Sequence, residues 1–273
     1  MKQNTFVLLG LFCLCLLSRP VFAAEENNPR MTPVVKVVKE CGDSVVNIST
    51  ESVALLGADP FWGQFHAFFD DSNMPVMPFG AMTLRSVGSG VVLSPEGLIL
   101  TNAHVIQRAN KIYVTLADQK QVEARPLSVN PNLDLALVKV DVPYALKPVK
   151  FAKDVIIGET VVAIGNPMGL QSSVSTGVVS STHREIQGMP VNSPFKDLIQ
   201  IDAPINPGNS GGGLFNLDGD FVGINVAIVQ NAQGIGFVIP FSSIQAAMEL
   251  YEKNQAQKSG NAESESPRKI TVN

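Results

Sequence analysis

Gly208-Asn209-Ser210-Gly211-Gly212 frames one serine with glycines, and together with two upstream segments it decides the fold. A serine hydroxyl is a poor nucleophile unless a base removes its proton, and that base works best when a carboxylate fixes its tautomer. A glycine-rich turn can also aim successive backbone N–H groups into one cavity. The stretch therefore indicates a nucleophile, Ser210, with an oxyanion hole whose N–H donors are Gly208 and Ser210, in a turn shaped by Asn209.

The base is predicted in Thr101-Asn102-Ala103-His104-Val105, where His104 follows an apolar strand. A general base near neutral pH is most often histidine, and the chain has only three. His66 lies within an aromatic insert and His183 lies in a polar loop. Structural or solvated roles are typical of both positions, so His104 is the candidate.

The carboxylate is predicted at Asp134, which opens the apolar run Asp134-Leu135-Ala136-Leu137. Leucine neighbours indicate a buried setting, and a buried carboxylate needs a partner such as an imidazole N–H. Four other aspartates lie in more polar, turn-like sequence: Asp118, Asp141, Asp154 and Asp202.

The order of these three residues discriminates between folds. The pattern G-x-S-x-G also marks α/β-hydrolases, in which the histidine follows the serine, but no histidine follows Ser210 here. The order His104, Asp134, Ser210 is that of chymotrypsin-like double barrels. From Gly88 onward, short apolar runs alternate with turn signals and no long helix intervenes, which favours antiparallel barrels or sandwiches. We therefore predict an all-β fold.

The ends of the chain are predicted from composition. Residues 1–23 have a basic start, an apolar run too short to span a bilayer, and small residues before a cut after Ala23, which indicates a cleaved signal peptide more than an uncleaved anchor. This predicts a periplasmic or secreted protein with no stable membrane span after cleavage. Residues 24–31 are predicted flexible, and Thr32-Pro33 to begin a short helix. Ser242 is predicted to cap a closing helix over 242–252, followed by a disordered polar tail over 253–273.

Net charge and cysteine content argue against nucleic-acid binding, an internal disulfide and a cysteine nucleophile. The net charge of −4 gives no reason to expect a nucleic-acid partner. Cys13 and Cys15 belong to the signal, so Cys41 alone remains and cannot form an internal disulfide. Cys41 is interpreted as a structural thiol rather than a nucleophile.

The insert over 54–86 is rich in aromatic residues and proline, and is interpreted either as a packed flap or as a loop that gates substrate or contacts another subunit.

These segments resemble the HtrA/Deg family of exported serine proteases, and the likeness covers about residues 32–252. The matching stretches are Gly88-Ser89-Gly90-Val91-Val92, Leu100-Thr101-Asn102-Ala103-His104-Val105-Ile106, Asp134-Leu135-Ala136-Leu137-Val138-Lys139, Val162-Ala163-Ile164-Gly165-Asn166-Pro167, the run from Gln200 to Leu214, and Gly234-Ile235-Gly236-Phe237-Val238-Ile239-Pro240.

The resemblance implies a chymotrypsin-like fold of two antiparallel six-stranded barrels, one over about 32–150 and one over about 155–240, closed by the short C-terminal helix. It implies the triad His104, Asp134 and Ser210, with no metal and no cofactor. It also implies cleavage of unfolded or damaged proteins in the cell envelope, commonly by a homotrimer.

Further expectations follow from the same resemblance. A small apolar pocket lined by Ile205, Val226 and Ile228 is expected to hold the residue before the cut. No acidic residue lies at the base of this pocket, so cleavage after Lys or Arg is not expected. Asn209, which precedes the serine, carries no charge that could pair with an N-terminus released by zymogen cleavage. Activation is therefore expected to depend on loop ordering or assembly. Family members usually carry PDZ domains, for which the polar tail has no room, so we expect PDZ control to be absent. The alternative function is a peptide-binding chaperone or regulatory subunit with an unassembled triad.

Overall fold

The computed structural model of the chain describes residues 28–55, 81–166, 173–185, 197–206, 208–226, 234–246, 248–249 and 253. The predicted signal peptide, most of the aromatic insert and nearly all of the polar tail lie outside these residues. Both ends of the predicted insert, 54–55 and 81–86, belong to strands. Across the described part of the chain, no helix has the length and apolar character needed to cross a membrane.

The first barrel contains six antiparallel strands that close on themselves in the order β1-β2-β3-β6-β5-β4. Its strands are β1 (Val45–Leu55), β2 (Ala81–Val92), β3 (Leu98–Thr101), β4 (Lys111–Thr115), β5 (Gln121–Asn130) and β6 (Leu135–Val140). Alternation of apolar and polar residues directs one face of each strand inward, as in β4, where Ile112 and Val114 are buried. The barrel interior is a continuous apolar cluster of its own.

The second barrel is also a closed ring of six antiparallel strands. Its strands are β8 (Thr160–Gly165), β9 (Ser173–Arg184), β10 (Leu198–Ile201), β11 (Gly213–Asn216), β12 (Asp220–Val226) and β13 (Gly236–Pro240). They follow the order β11-β8-β9-β10-β13-β12, and pairing between β11 and β12 closes the ring. A two-residue strand, β7 (Lys150–Phe151), adds a parallel pairing to β12 that the sequence did not predict. The predicted fold class, two antiparallel six-stranded barrels, is confirmed.

Short helices lie at the edges of the barrels. Helix α1 (Pro33–Cys41) begins as predicted, with the Thr32 hydroxyl accepting a hydrogen bond from the Val35 N–H and proline in the first turn. A 3-10 turn (Gly42–Ser44) follows, and α2 (Ala103–Ile106) lies in the first barrel. The closing helix is present, with described helical residues at 241–246, 248–249 and 253. It begins one residue before the predicted start, so Ser242 lies inside it and does not cap it.

A separate apolar cluster joins the two barrels. It combines residues of both barrels with Val37 and Cys41 of α1 and with Ile244 of the closing helix. Cys41 of α1 contacts the turn between β11 and β12, in the second barrel. Ile244 and Met248 of the closing helix line a small cavity with β5 and β6 of the first barrel. Each barrel is therefore packed against a helix from the opposite end of the chain, and the candidate site lies where the barrels meet.

Candidate active site

His104 and Asp134 form a buried pair at one end of the first barrel. The His104 Nδ1 atom lies 2.8 Å from Asp134 Oδ2 and 3.0 Å from Oδ1. An ionised carboxylate can only accept hydrogen bonds, so this contact favours the tautomer with its hydrogen on Nδ1, which in a neutral ring leaves the lone pair on Nε2. His104 is 8% exposed and Asp134 is 4% exposed, so the pair is shielded from competing water. The arrangement is that of a base whose tautomer is fixed by a carboxylate.

The backbone of Asp134 is fixed as firmly as its side chain. Asp134 has a φ of 50°, in the left-handed region that aspartate tolerates better than most residues. Its carbonyl oxygen accepts hydrogen bonds from the Ala103 N–H and the Asn102 Nδ2, both at 3.1 Å. Its carboxylate also accepts the His104 backbone N–H at 3.0 Å. Asn102 and the first residues of α2 therefore bind both the backbone and the side chain of Asp134, which sets the position of the imidazole.

The other aspartates considered have different partners or lie in exposed sequence. Asp118 accepts a hydrogen bond from the Tyr144 hydroxyl and pairs with Lys120 at the surface. Asp141 lies beside Arg125 and Lys139 with 76% of its side chain exposed.

Asp202 is exposed and accepts the Val178 N–H at 2.6 Å, while Asp154 is also exposed. Among the remaining histidines, His183 pairs with Asp197 at the surface, and His66 lies outside the described residues.

Ser210 occupies a tight turn whose peptides are held by hydrogen bonds. Gly208 and Gly211 have φ values of 94° and 83°, which only glycine adopts without strain. The Asn209 N–H donates to the Asn206 carbonyl at 3.0 Å, so this hydrogen stabilises the turn and does not point at a substrate. The Asn209 carbonyl in turn accepts the Gly212 N–H at 2.9 Å. Asn209 shapes the turn, and Gly208 and Ser210 stay the predicted oxyanion donors.

Close backbone contacts bring the serine turn against the first barrel. A methyl group on Gly88 would lie 2.8 Å from a Val105 side-chain carbon and 3.4 Å from the Ser210 carbonyl oxygen. The Ser89 N–H donates to that same carbonyl oxygen at 2.9 Å. Since Val105 follows His104 directly, Gly88 and Ser89 lie between the histidine segment and the serine turn. The predicted base, carboxylate and nucleophile are thus carried by segments that meet across the barrel interface.

Cys41 is a structural thiol. It is buried, and its Sγ donates to the Gly219 carbonyl oxygen at 3.3 Å. Burial, followed by the negative charge of Glu40, raises the pKa of Cys41 from 9.0 to about 11. A thiol that stays protonated is a weak nucleophile, which agrees with the interpretation from sequence. Within the described ranges, no group of three or more His, Cys, Asp or Glu side chains is placed to hold a metal ion.

Comparison with known proteins identifies this architecture. The sequence profile of the trypsin-like peptidase domain matches residues 88–224. An HtrA-type protease, AlgW, solved with a decapeptide, superposes with a TM-score of 0.64 at 32% identity, covering 81% of this chain and 67% of that one. The chain belongs to the HtrA family of trypsin-like serine proteases.

Two HtrA-family relatives extend the comparison to full sequences. The serine protease HhoA of Synechocystis sp. is 36% identical, with 83% of this chain and 59% of the relative covered. A DegP-like periplasmic serine endoprotease of Pseudomonas fulva is 38% identical, with 90% and 53% covered. The chain therefore spans between about half and three-fifths of the length of these relatives.

The predicted pocket residues of this HtrA-family domain differ in burial and in what they contact. Ile205 is partly exposed, and a methyl group on Gly236 would lie 2.8 Å from its Cγ1 atom. Val226 is 1% exposed and packs in the cluster that joins the barrels. Ile228 lies outside the described residues. The apolar pocket stays a prediction.

Sequence reasoning missed the polar contacts that join the two barrels of the HtrA domain. Ser89 and Asn47 of the first barrel contact Asn166 of the second: the Asn166 N–H donates to Ser89 Oγ at 2.8 Å, and Asn47 Nδ2 donates to the Asn166 carbonyl at 2.9 Å. Asn47 and Ser89 pair across β1 and β2, on the strand face opposite Val46, Ile48 and Val92, which pack inside the first barrel. Polar residues on the outer face of a barrel strand are ordinary, so no local signal in the sequence marks these two.

Proposed function

We propose that the chain is an exported serine endopeptidase that hydrolyses peptide bonds with His104, Asp134 and Ser210. The observation that carries this proposal is the buried His104–Asp134 pair, with 2.8 Å between Nδ1 and Oδ2. It lies beside a glycine-framed serine turn in a fold whose relatives are serine proteases. Nothing else in the described part of the chain offers a histidine with a buried carboxylate partner.

The proposed mechanism assigns one role to each group. His104 Nε2 removes the proton of the Ser210 hydroxyl as Oγ attacks the carbonyl carbon of the substrate. Asp134 holds the imidazole and stabilises the imidazolium that forms. The N–H groups of Gly208 and Ser210 donate to the oxygen that becomes negative in the tetrahedral intermediate. The imidazolium then protonates the leaving amine, and a water molecule, deprotonated by His104, releases the acyl group from Ser210.

The proposed substrates are unfolded or damaged polypeptides with a small apolar residue before the cut. Support comes from the apolar side chains of Ile205 and Val226 among the predicted pocket residues, which include no acid to bind Lys or Arg. Export to the periplasm or the medium is supported by the apolar N-terminal segment and by the periplasmic relative in Pseudomonas fulva. A homotrimer is the proposed assembly, for which light scattering should give a mass of three chains.

Replacing the nucleophile tests the proposal. We expect Ser210→Ala to abolish cleavage of unfolded casein while circular dichroism and the melting temperature stay close to those of the wild type, because only one buried oxygen is removed. Ser180→Ala, an exposed serine on β9, is the matched control and should cleave casein at the wild-type rate. Cleavage that persists in Ser210→Ala would overturn the assignment.

The competing function, a peptide-binding chaperone or regulatory subunit, requires a triad that is not assembled. The contact between His104 and Asp134 does not support that requirement. No contact among the described residues favours the binding function over catalysis. Peptide binding without turnover in the wild type, with casein intact after prolonged incubation, would favour it.

A further inference from the structure

Ser89 is a buried serine that the proposed mechanism does not use. It lies on β2 with 0% of its surface exposed, and all of its polar atoms form hydrogen bonds. Its N–H donates to the Ser210 carbonyl at 2.9 Å. Its Oγ donates to the Gly208 carbonyl at 2.6 Å and accepts the Asn166 N–H at 2.8 Å. Its own carbonyl accepts the Thr101 hydroxyl at 2.7 Å.

These contacts hold the peptide groups on both sides of Asn209 and Ser210. In the peptide that joins Gly208 to Asn209, the oxygen is bound by Ser89 Oγ and the N–H by the Asn206 carbonyl. In the peptide that joins Ser210 to Gly211, the oxygen is bound by the Ser89 N–H and the N–H by the Asn225 carbonyl.

The peptide between these two carries the Ser210 N–H. Its orientation is fixed from both ends, because each neighbouring peptide has its oxygen on Ser89. The Gly208 N–H belongs to the preceding peptide, and the φ of 94° at Gly208 relates its direction to the carbonyl that Ser89 holds. One residue of the first barrel therefore holds the peptides on both sides of the Ser210 N–H and the carbonyl of the residue that carries the other predicted oxyanion donor.

The hydroxyl has a chemical role that few side chains can fill. It donates to one buried group and accepts from another at the same time, which an alanine cannot do and a thiol does weakly. The accepted hydrogen comes from Asn166, whose carbonyl is in turn bound by Asn47 Nδ2 at 2.9 Å. The chain of contacts runs from β1 through the edge of β8 to β2 and ends on the serine turn. The geometry of the turn is thus tied to the docking of the two barrels.

We propose that Ser89 is a positioning residue for the oxyanion hole, whose hydroxyl holds the Gly208 carbonyl across the barrel interface so that the Gly208 and Ser210 N–H groups face the substrate. This inference rests on the proposed serine-protease function. Loss of the Ser89 hydroxyl should therefore affect kcat more than KM, because an oxyanion hole stabilises charge that develops only during the reaction.

The test compares Ser89→Ala with Ser89→Cys and with Ser44→Ala, a control that removes another buried hydroxyl at a residue 2% exposed. With fluorescent casein as substrate, kcat of Ser89→Ala should fall about 10- to 100-fold while KM changes less than about threefold. Ser89→Cys should retain an intermediate kcat, and Ser44→Ala should stay within about twofold of wild type. All assays are run well below the melting temperature of the least stable variant.

A second readout does not depend on catalysis. Hydrogen exchange of the Asn209 N–H, which donates to Asn206, should accelerate at least about tenfold in Ser89→Ala, while Val114 in the core of the first barrel keeps its protection. A variant that loses only melting temperature, with kcat and Asn209 exchange unchanged, would overturn the inference. If the wild type itself cleaves nothing, the proposed function fails, and the exchange rate of Asn209 still decides whether Ser89 holds the turn.

Discussion

The carboxylate of Asp134 accepts two hydrogens from the same residue, the ring N–H and the backbone N–H of His104. Holding both fixes the tautomer of the ring and its position relative to the backbone of α2. The left-handed backbone at Asp134, with φ of 50°, is what turns the side chain toward the histidine segment while its carbonyl binds Ala103. At the scale of a residue, the position of the His104 ring is set by one carboxyl group and one carbonyl.

Asp134→Asn should lower kcat on casein by about 10³- to 10⁴-fold, because an amide can donate to Nδ1 and stabilise the wrong tautomer. The fold should survive, since asparagine tolerates the left-handed region as well as aspartate does. Circular dichroism and kcat are the measurements. Asp118→Asn, a surface change, is the control and should stay within about twofold of wild type. A wild-type kcat in Asp134→Asn would show that this carboxylate does not orient the base.

Cys41 makes stability depend on pH in the alkaline range. Its pKa is 9.0 for a free thiol and about 11 in the fold, because burial and Glu40 disfavour the thiolate. Between these values the unfolded chain releases a proton that the folded chain keeps, so stability falls as pH rises from about 9 to about 11. The loss should be on the order of 2 kcal/mol over that window.

Urea unfolding of wild type and Cys41→Ala between pH 8 and pH 11 measures this effect as the difference in slope, since other groups titrate equally in both. Ellman's reagent provides a second measurement, with slow reaction of the native thiol and fast reaction in denaturant. Equal slopes for the two proteins, or rapid labelling of the native thiol, would contradict the description of Cys41 as a protonated structural group.

At the scale of elements, the serine turn and β2 approach each other too closely for any side chain at Gly211. A methyl group there would lie 2.1 Å from the Ser89 carbonyl oxygen and 2.6 Å from the Thr101 hydroxyl. The contact is between the backbone of β2 and the backbone of the serine turn, so neither can move without breaking the hydrogen bonds that join the barrels. The glycine is required by the packing and by its φ of 83°.

Gly211→Ala should destabilise the fold by roughly 3 kcal/mol or more and lower kcat of the remaining folded protein, since the serine turn must shift. Gly158→Ala separates the two causes, because Gly158 has a φ of 89° but a methyl group added there would meet nothing within 4 Å. It should cost only about 1 kcal/mol of backbone strain with kcat unchanged. Similar losses in both variants, measured by urea unfolding, would show that the close contact at Gly211 is unimportant.

The sequence predicted the strands and the triad segments because their signals are local. Alternating apolar residues mark β4, the leucines around Asp134 mark burial, and the glycines around Ser210 mark the turn. The two-residue strand β7 carries no such pattern, and only contact with β12 reveals it.

The Ser89 contacts could not be predicted because they join residues far apart in the chain. The Ser89 hydroxyl binds the Gly208 carbonyl, 119 residues away, and the Asn166 N–H, 77 residues away. No local period reports such pairs, and a serine between two glycines resembles an ordinary turn. The order of the triad residues predicted which fold to expect, but only the fold shows which polar groups meet across its interface.

At the scale of the whole molecule, two helices from the ends of the domain cross to the opposite barrel. Helix α1 packs Val37 and Cys41 against the second barrel, and the closing helix packs Ile244 and Met248 against the first. Ile244 is fully buried and shares a cluster with Leu135, the neighbour of Asp134. The barrels are therefore held in register by packing as well as by the Ser89 hydrogen bonds.

Ile244→Ala should lower the free energy of unfolding by about 2 to 5 kcal/mol, because it enlarges an existing cavity of about 40 Å³ beside β5 and β6. Ile156→Ala is the control: Ile156 is 61% exposed, and its truncation should change stability by less than about 0.5 kcal/mol. Chemical denaturation of both variants is the measurement. A loss below about 1 kcal/mol for Ile244→Ala would mean that the closing helix does not hold the barrels together.

Active-site labelling by a fluorophosphonate tests the central claim, that Ser210 is a nucleophile activated by His104 and Asp134, most directly. The wild type should gain one adduct per chain by intact mass, mapped by peptide sequencing to Ser210. Ser210→Ala should gain none, and His104→Ala should react at least about 10³-fold more slowly. An unlabelled wild type under conditions that label trypsin, or an adduct that persists in Ser210→Ala, would contradict the account.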